Sequence, residues 1–135
     1  VGHVLFFFAN GKAARVELSA YRTQTRRKKL TGAYSDKSPL VTAIHLKEDV
    51  ELALTSTEGR CMIFHTAVLA PKTTRSTQGV GVMTIKKPDK FRLESVRPLA
   101  ETAIQDPARY RARSLPVAGA LLKPEDRGEE QLSLL

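Results

Sequence analysis

The chain has 135 residues, 41% hydrophobic and 27% charged, with 22 Lys and Arg against 14 Asp and Glu, a formal charge of +8. This length suits one domain, or one domain plus a tail, and the charge favours a polyanionic partner such as nucleic acid or an acidic membrane surface. No apolar run reaches the roughly 18 residues of a membrane-spanning helix, and the single Cys61 has no partner for an internal disulfide, which makes a reducing cytosol the expected setting.

In chain order the patterns are those of strands. The run Val4-Leu5-Phe6-Phe7-Phe8 is β-prone. It is too short for a signal-peptide core and has no basic segment before it. The first residue is Val rather than Met, so a fragment or a processed piece is expected. Asn10-Gly11 predicts a two-residue hairpin, with a return strand over 14–18. Val41–Leu46 is β-rich. Val50, Leu52 and Leu54 alternate with Glu51, Ala53 and Thr55, a strand with one apolar face. Glu58-Gly59 predicts a second tight turn, returning through Cys61-Met62-Ile63-Phe64. Val80–Ile85 and Phe91–Val96 are two further β-rich runs, and nothing before residue 99 holds a helical period.

These pieces repeat. Phe8-Ala9-Asn10-Gly11-Lys12 recurs as Ser56-Thr57-Glu58-Gly59-Arg60 at an offset of 48. In each copy a strand follows, then a polar basic loop, a glycine and a closing strand. The loops are Arg26-Arg27-Lys28-Lys29-Leu30-Thr31-Gly32 and Thr74-Arg75-Ser76-Thr77-Gln78-Gly79. Units of this length with several strands are the signature of propeller-like blades, each of which must cover an apolar face with a neighbour. The expected fold is all-β: about two blades, over residues 1–48 and 49–99, followed by a largely irregular tail over 100–135.

The charge follows the repeat. Residues 1–99 hold 17 basic and 8 acidic residues, a net +9, whereas 100–135 hold 5 and 6, a net −1. Arg22, Arg26, Arg27, Lys28 and Lys29 form one cluster, and Lys86, Lys87, Lys90 and Arg92 another. A short basic run alone is often a solvated loop; one run in each copy of the repeat, though at different offsets, suggests a shared binding role.

Arg75-Ser76-Thr77-Gln78-Gly79-Val80, followed by Val82, Ile85 and then Lys86-Lys87, resembles the blade signature in the C-terminal domain of the A subunit of bacterial type IIA topoisomerases, the family of DNA gyrase and topoisomerase IV. The resemblance covers roughly residues 3–99. It implies a β-pinwheel, a ring of blades that share strands, binding duplex DNA along a basic rim. Lys and Arg would displace condensed counterions and read little sequence. Arg22, Arg26, Arg27, Lys28 and Lys29 would serve the rim of the first blade, and Arg75, Lys86 and Lys87 that of the second. Gly32 and Gly79 would be backbone devices, or ordinary turns.

Gyrase A subunits carry a Gln-Arg-Arg-Gly-Gly-x-Gly box required for wrapping. Here Gln24-Thr25-Arg26-Arg27-Lys28-Lys29-Leu30-Thr31-Gly32 keeps a Gln, the Arg pair and one glycine, with Lys-Lys in place of Gly-Gly. Such a box argues against strong wrapping and leans toward topoisomerase IV. The resemblance further implies partners in the rest of the A subunit and the ATPase B subunit, with ATP and Mg on that partner and no cofactor in this chain. It also implies a bacterial cytoplasmic, nucleoid-associated setting and no membrane partner.

Catalytic residues are not expected here. The family's active-site tyrosine lies in the N-terminal part of the subunit, and Tyr21, Tyr34 and Tyr110 match no such motif. There is no phosphate-binding loop, no metal-ligand spacing and no Ser/His/Asp set. His3, His45 and His65 are scattered on or near strands, as partly buried strand residues rather than ligands. Cys61 is expected to be a small buried hydrophobe.

In the tail, Ala100–Arg113 could make a short helix broken at Pro107, but the alternation of Arg109, Arg111 and Arg113 favours an extended segment, with nucleic acid as a candidate partner. Pro116, Pro124, Gly128 and the acids Glu125, Asp126, Glu129 and Glu130 point to an extended or disordered end. The final Gln131-Leu132-Ser133-Leu134-Leu135 is similar to the Gln-Leu-x-Leu-Phe peptide that docks on the bacterial sliding clamp; Gln131, Leu132, Leu134 and Leu135 would carry that contact, against a plain apolar chain end. Two other readings remain. One is a propeller-like structural or protein-docking module with an acidic partner. The other is a basic RNA-binding barrel, which lacks an aromatic ladder at 6% aromatics.

Overall fold

The computed structural model describes residues 2–21, 37–72 and 79–127. The strands are β1 His3–Phe8, β2 Lys12–Glu17, β3 Leu40–Leu46, β4 Glu51–Ser56, β5 Arg60–His65, β6 Val80–Gly81, β7 Leu93–Pro98 and β8 Ala120–Leu121. Among the described residues, only short 3-10 turns interrupt them. The strands build two four-stranded sheets, β3-β1-β2-β6 and β7-β4-β5-β8, antiparallel throughout.

Both hairpins form where expected, with a different turn. The Gly11 N–H donates to Phe8 O at 2.9 Å and the Gly59 N–H to Ser56 O at 2.9 Å. The central residues are therefore the pair before each glycine. Gly11 and Gly59 follow with φ of +86° and +91°, the three-residue loop with a left-handed glycine. Strand bounds shift for a related reason. The run 80–85 pairs with β2 only over Val80–Gly81, because the Val82 and Met83 amides turn away to Gly11 O, both at 3.0 Å.

Each sheet takes its fourth strand from the following part of the chain. β6, from the second unit, pairs with β2 of the first, and β8, from beyond residue 99, pairs with β5. Both are entered through a left-handed glycine, Gly79 at φ +80° and Gly119 at +85°. The sequence repeat thus marks hairpins, while the folded unit borrows a strand across the repeat boundary.

Alternate side chains of a strand point to opposite faces, and β1 is apolar on both because both are buried. Leu5 and Phe7 meet Leu52, Leu54, Met62 and Phe64 of the second sheet, with Val82, Met83 and Leu93 filling the seam. Phe7 and Phe64 meet edge to face at 6.4 Å and 65°, the favoured offset for two ring quadrupoles. Phe6 and Phe8 join Ala14 and Val16 in a second cluster on the other face.

Residues 100–127 are irregular, as expected of the tail, but they are packed rather than loose. Tyr110 is buried against Ala53, Cys61 and Ile63, and Arg111 forms a two-pronged ion pair with Glu51 at 2.8 and 2.9 Å. A 3-10 turn at Pro107–Arg109 stands where a short helix was one option. Composition misled here because the acids at the chain end include Asp126, which is buried by pairing with Tyr110 at 2.6 Å.

One charged side chain locks the two sheets together. Arg15 on β2 is 8% exposed; its Nη1 donates to Asp49 Oδ1 and Thr66 O at 2.8 Å each, and its Nε donates to His3 Nδ1 at 2.9 Å. His3 must keep Nδ1 unprotonated to accept that bond. Thr66 Oγ1 donates to the same Asp49 oxygen at 2.8 Å. The Thr66 and Arg15 bonds hold the Asp49 carboxyl below its ordinary 3.8. Its contribution is therefore complete above that pH and lost as pH falls through the lower folded value. Arg15→Ala would take one donor from the Thr66 carbonyl, which keeps the Leu69 N–H at 3.1 Å, and one from the Asp49 carboxylate, which keeps Thr66 Oγ1. Asp49 is 35% exposed, so water takes up part of that cost. A loss of about 2–3 kcal/mol in urea unfolding is expected, below the 3–5 of a fully buried pair.

Candidate nucleic-acid interface

The turn ends of both hairpins lie on one rim, and one loop, residues 82–92, joins them. The Leu93 N–H donates to Ala9 O at 3.0 Å beside the first turn. The Arg92 backbone pairs with Thr57 beside the second, N–H to Oγ1 at 3.0 Å and O from the Thr57 N–H at 2.9 Å. The Ala9 N–H reaches Pro39 O at 2.8 Å, which brings Lys37 and Ser38 to the same rim.

Lys37, Lys86, Lys87, Lys90 and Arg92 are all exposed there, with Lys12 partly so. Within this loop the Lys90 and Phe91 amides both donate to Lys87 O, at 2.8 and 2.9 Å. The tight turn puts Lys87 at φ +55°, a left-handed conformation that costs a residue with a Cβ about 1–2 kcal/mol. The Lys90 ammonium lies 5.4 Å from the Phe91 ring centre, close enough for a weak cation–π contact. Among the described residues, the acids on this rim are Asp89 and Glu94, with Glu58 paired to Arg60 at 3.3 Å.

Among the described residues the opposite rim is balanced. Glu17, Glu48, Asp49 and Glu51 face Arg15, Lys47 and Arg111, and two pairs are closed, Arg15–Asp49 and Arg111–Glu51. Counting the described residues, one rim of the stacked sheets is therefore electropositive and the other close to neutral. Such an asymmetry concentrates a polyanion on one side.

Lys86 and Lys87 thus stand on the basic rim, and Gly79 stands at the entry to β6. A Cβ on Gly79 would lie 2.0 Å from Ala13 O. Arg22, Arg26, Arg27, Lys28, Lys29, Gly32, Arg75, Gln131, Leu132, Leu134 and Leu135 lie outside the described residues. Lys12 and Lys37 were not singled out as rim residues from sequence, because each is an isolated lysine brought to the rim by the hairpin and by β3. Gly119 was also missed, although Gly119-Ala120 repeats Gly79-Val80 at an offset of 40.

The described residues offer little for bond-making chemistry. Burial pushes the Cys61 thiol up to about 12, with the Asp126 charge adding to the shift, so no thiolate nucleophile is available near neutral pH. Burial and the Asp126 bond also raise the Tyr110 phenol. No group of three or more His, Cys, Asp or Glu among the described residues is placed to hold a metal ion. No helix among them is long and apolar enough to cross a membrane.

Protein-family models give no match to this chain, and neither do curated proteins. Solved structures do. The DNA gyrase A C-terminal domain matches over 87% of the chain with a TM-score of 0.64 at 20% identity. The C-terminal domain of DNA topoisomerase IV matches over 90% with a TM-score of 0.73, also at 20% identity. The chain has the β-pinwheel fold. It spans about two fifths of those solved domains, 42% and 41% of their lengths. The exchanged strands β6 and β8 are the strand sharing that distinguishes a pinwheel from a plain propeller. At this identity the likeness concerns the fold alone.

Proposed function

We propose that the chain is a duplex-DNA-binding module from the A subunit of a bacterial type IIA topoisomerase, which positions DNA for the enzyme. The observation that carries this is the one-sided rim of Lys12, Lys37, Lys86, Lys87, Lys90 and Arg92 on a pinwheel. Cations spaced along an edge, with no aromatic ladder among the described residues, suit backbone phosphates rather than base edges. Arg22, Arg26, Arg27, Lys28, Lys29 and Arg75 would share that role, as the family resemblance of their loops implies. The altered glycine box favours positioning over strong wrapping. In this reading catalysis and cofactor binding belong to other parts of the enzyme. ATP and Mg serve the partner B subunit, and the rest of the A subunit carries the cleavage chemistry, in a bacterial cytoplasm. The terminal Gln131–Leu135 peptide is a candidate contact for the sliding clamp.

The same rim also suits an acidic protein, and one experiment separates the two. In fluorescence anisotropy, two duplexes of unrelated sequence should bind within about threefold of each other, since phosphate contacts carry no sequence information. Charge reversal at Arg26, Arg27, Lys28 and Lys29 should weaken both equally. Unchanged duplex affinity with loss of an acidic protein partner would favour the docking reading instead.

A further inference from the structure

The second sheet has an outer face that the chain itself covers. Ala53, Cys61 and Ile63 point away from the first sheet, and Tyr110, Leu99, Ile104, Ala120 and Leu122 close over them. The covering segment copies the contacts of a following unit. Lys72 bridges Val16 on β2 in parallel, its N–H donating to Arg15 O at 2.8 Å and its O accepting from Glu17. Arg111 bridges Ile63 on β5 in parallel, between the Ile63 N–H to Tyr110 O bond at 2.8 Å and the Ala112 N–H to Ile63 O bond at 2.9 Å.

Gly119 then leads into β8 as Gly79 leads into β6. Their hypothetical Cβ atoms would strike Cys61 O at 2.4 Å and Ala13 O at 2.0 Å, positions one repeat apart on β5 and β2. One part of a unit is missing. Residues 99–127 hold 3-10 turns and β8 but no hairpin, the element that presents Leu52, Leu54, Met62 and Phe64 to the first sheet. In its place stands Tyr110, 2% exposed, its hydroxyl donating to Asp126 and accepting the Lys123 N–H at 3.0 Å. Asp126 also accepts the Gln105 N–H at 2.7 Å.

We propose that residues 99–126 are an end cap. They take over the bridge and donor strand of a following unit, omit its hairpin, and close the outer face of β4 and β5 against stacking. Stacked repeat arrays need such a terminus, because every blade otherwise leaves an apolar face open. The partner the cap excludes is a second copy of this chain, pairing outer face to outer face about a two-fold axis.

The test uses the full chain. By sedimentation, wild type should stay monomeric, while Tyr110→Ala should dimerise at a concentration at least about tenfold lower. A peptide of residues 99–127 added in trans should return the variant to monomer. A folded Tyr110→Ala chain that stays monomeric would overturn the proposal, as would association that the peptide does not reverse. Amide exchange on wild type gives an answer even if that variant does not fold. The Ala112 and Leu122 amides should exchange together and well before those of Leu52 and Leu54. Equal protection would make the segment an integral part of the sheet rather than a cap.

Discussion

Reversing Lys86, Lys87, Lys90 and Arg92 to Glu together is expected to weaken duplex binding by about 100-fold or more near physiological salt. These four exposed residues sit on one loop between the two hairpin turns, so a single DNA backbone passing along the rim meets all of them. Each lost phosphate contact removes about one released counterion, so the slope of log K against log salt should also flatten by about 3–4. Stability should change little, because the four side chains are solvent-exposed. The matched control compares single reversals: Lys47, exposed on the opposite rim, should leave affinity within about twofold, whereas Lys87 should lose several-fold. Anisotropy titrations at several salt concentrations check these variants. Equal losses from the two rims would mean that net charge, not the loop, attracts the DNA.

Gly11→Ala should cost far more stability than Gly59→Ala, although the two glycines occupy the same place in the repeat. Both have left-handed backbones, so both variants incur the conformational cost of about 1–2 kcal/mol. At Gly59 a Cβ meets nothing within 4 Å, and that cost is the whole effect. At Gly11 a Cβ would lie 1.9 Å from Met83 O. The backbone there cannot move cheaply, because Gly11 O accepts both Val82 and Met83 N–H and Met83 is buried in the seam. A total of about 4 kcal/mol or more is expected for Gly11→Ala. Urea unfolding of the two variants measures the gap. Equal losses would show that the turn does not hold the seam between the sheets.

The two hairpins, the all-β class and the basic excess were legible in the sequence because each depends on local signals: a turn glycine, a β-prone run, a count of charges. The exchange of strands was not. Val80 and Ala120 lie in ordinary apolar stretches, and only the register against Lys12–Ala13 and Arg60–Cys61 shows which sheet receives them. The order of residues 100–127 was hidden for a similar reason. A lone Tyr110 and a lone Asp126 carry no periodic signal, yet their pairing across 16 residues fixes the segment. The rim was half legible: Lys86, Lys87, Lys90 and Arg92 are a visible run, whereas Lys12 and Lys37 join them only through the fold.

The salt dependence of duplex binding by the intact chain tests the central claim most directly. If five to seven phosphates are neutralised, log K should fall against log salt with a slope of roughly −4 to −6, equally for unrelated sequences. A slope near zero, or no duplex binding at low salt, would contradict the reading of this pinwheel as a DNA-binding module.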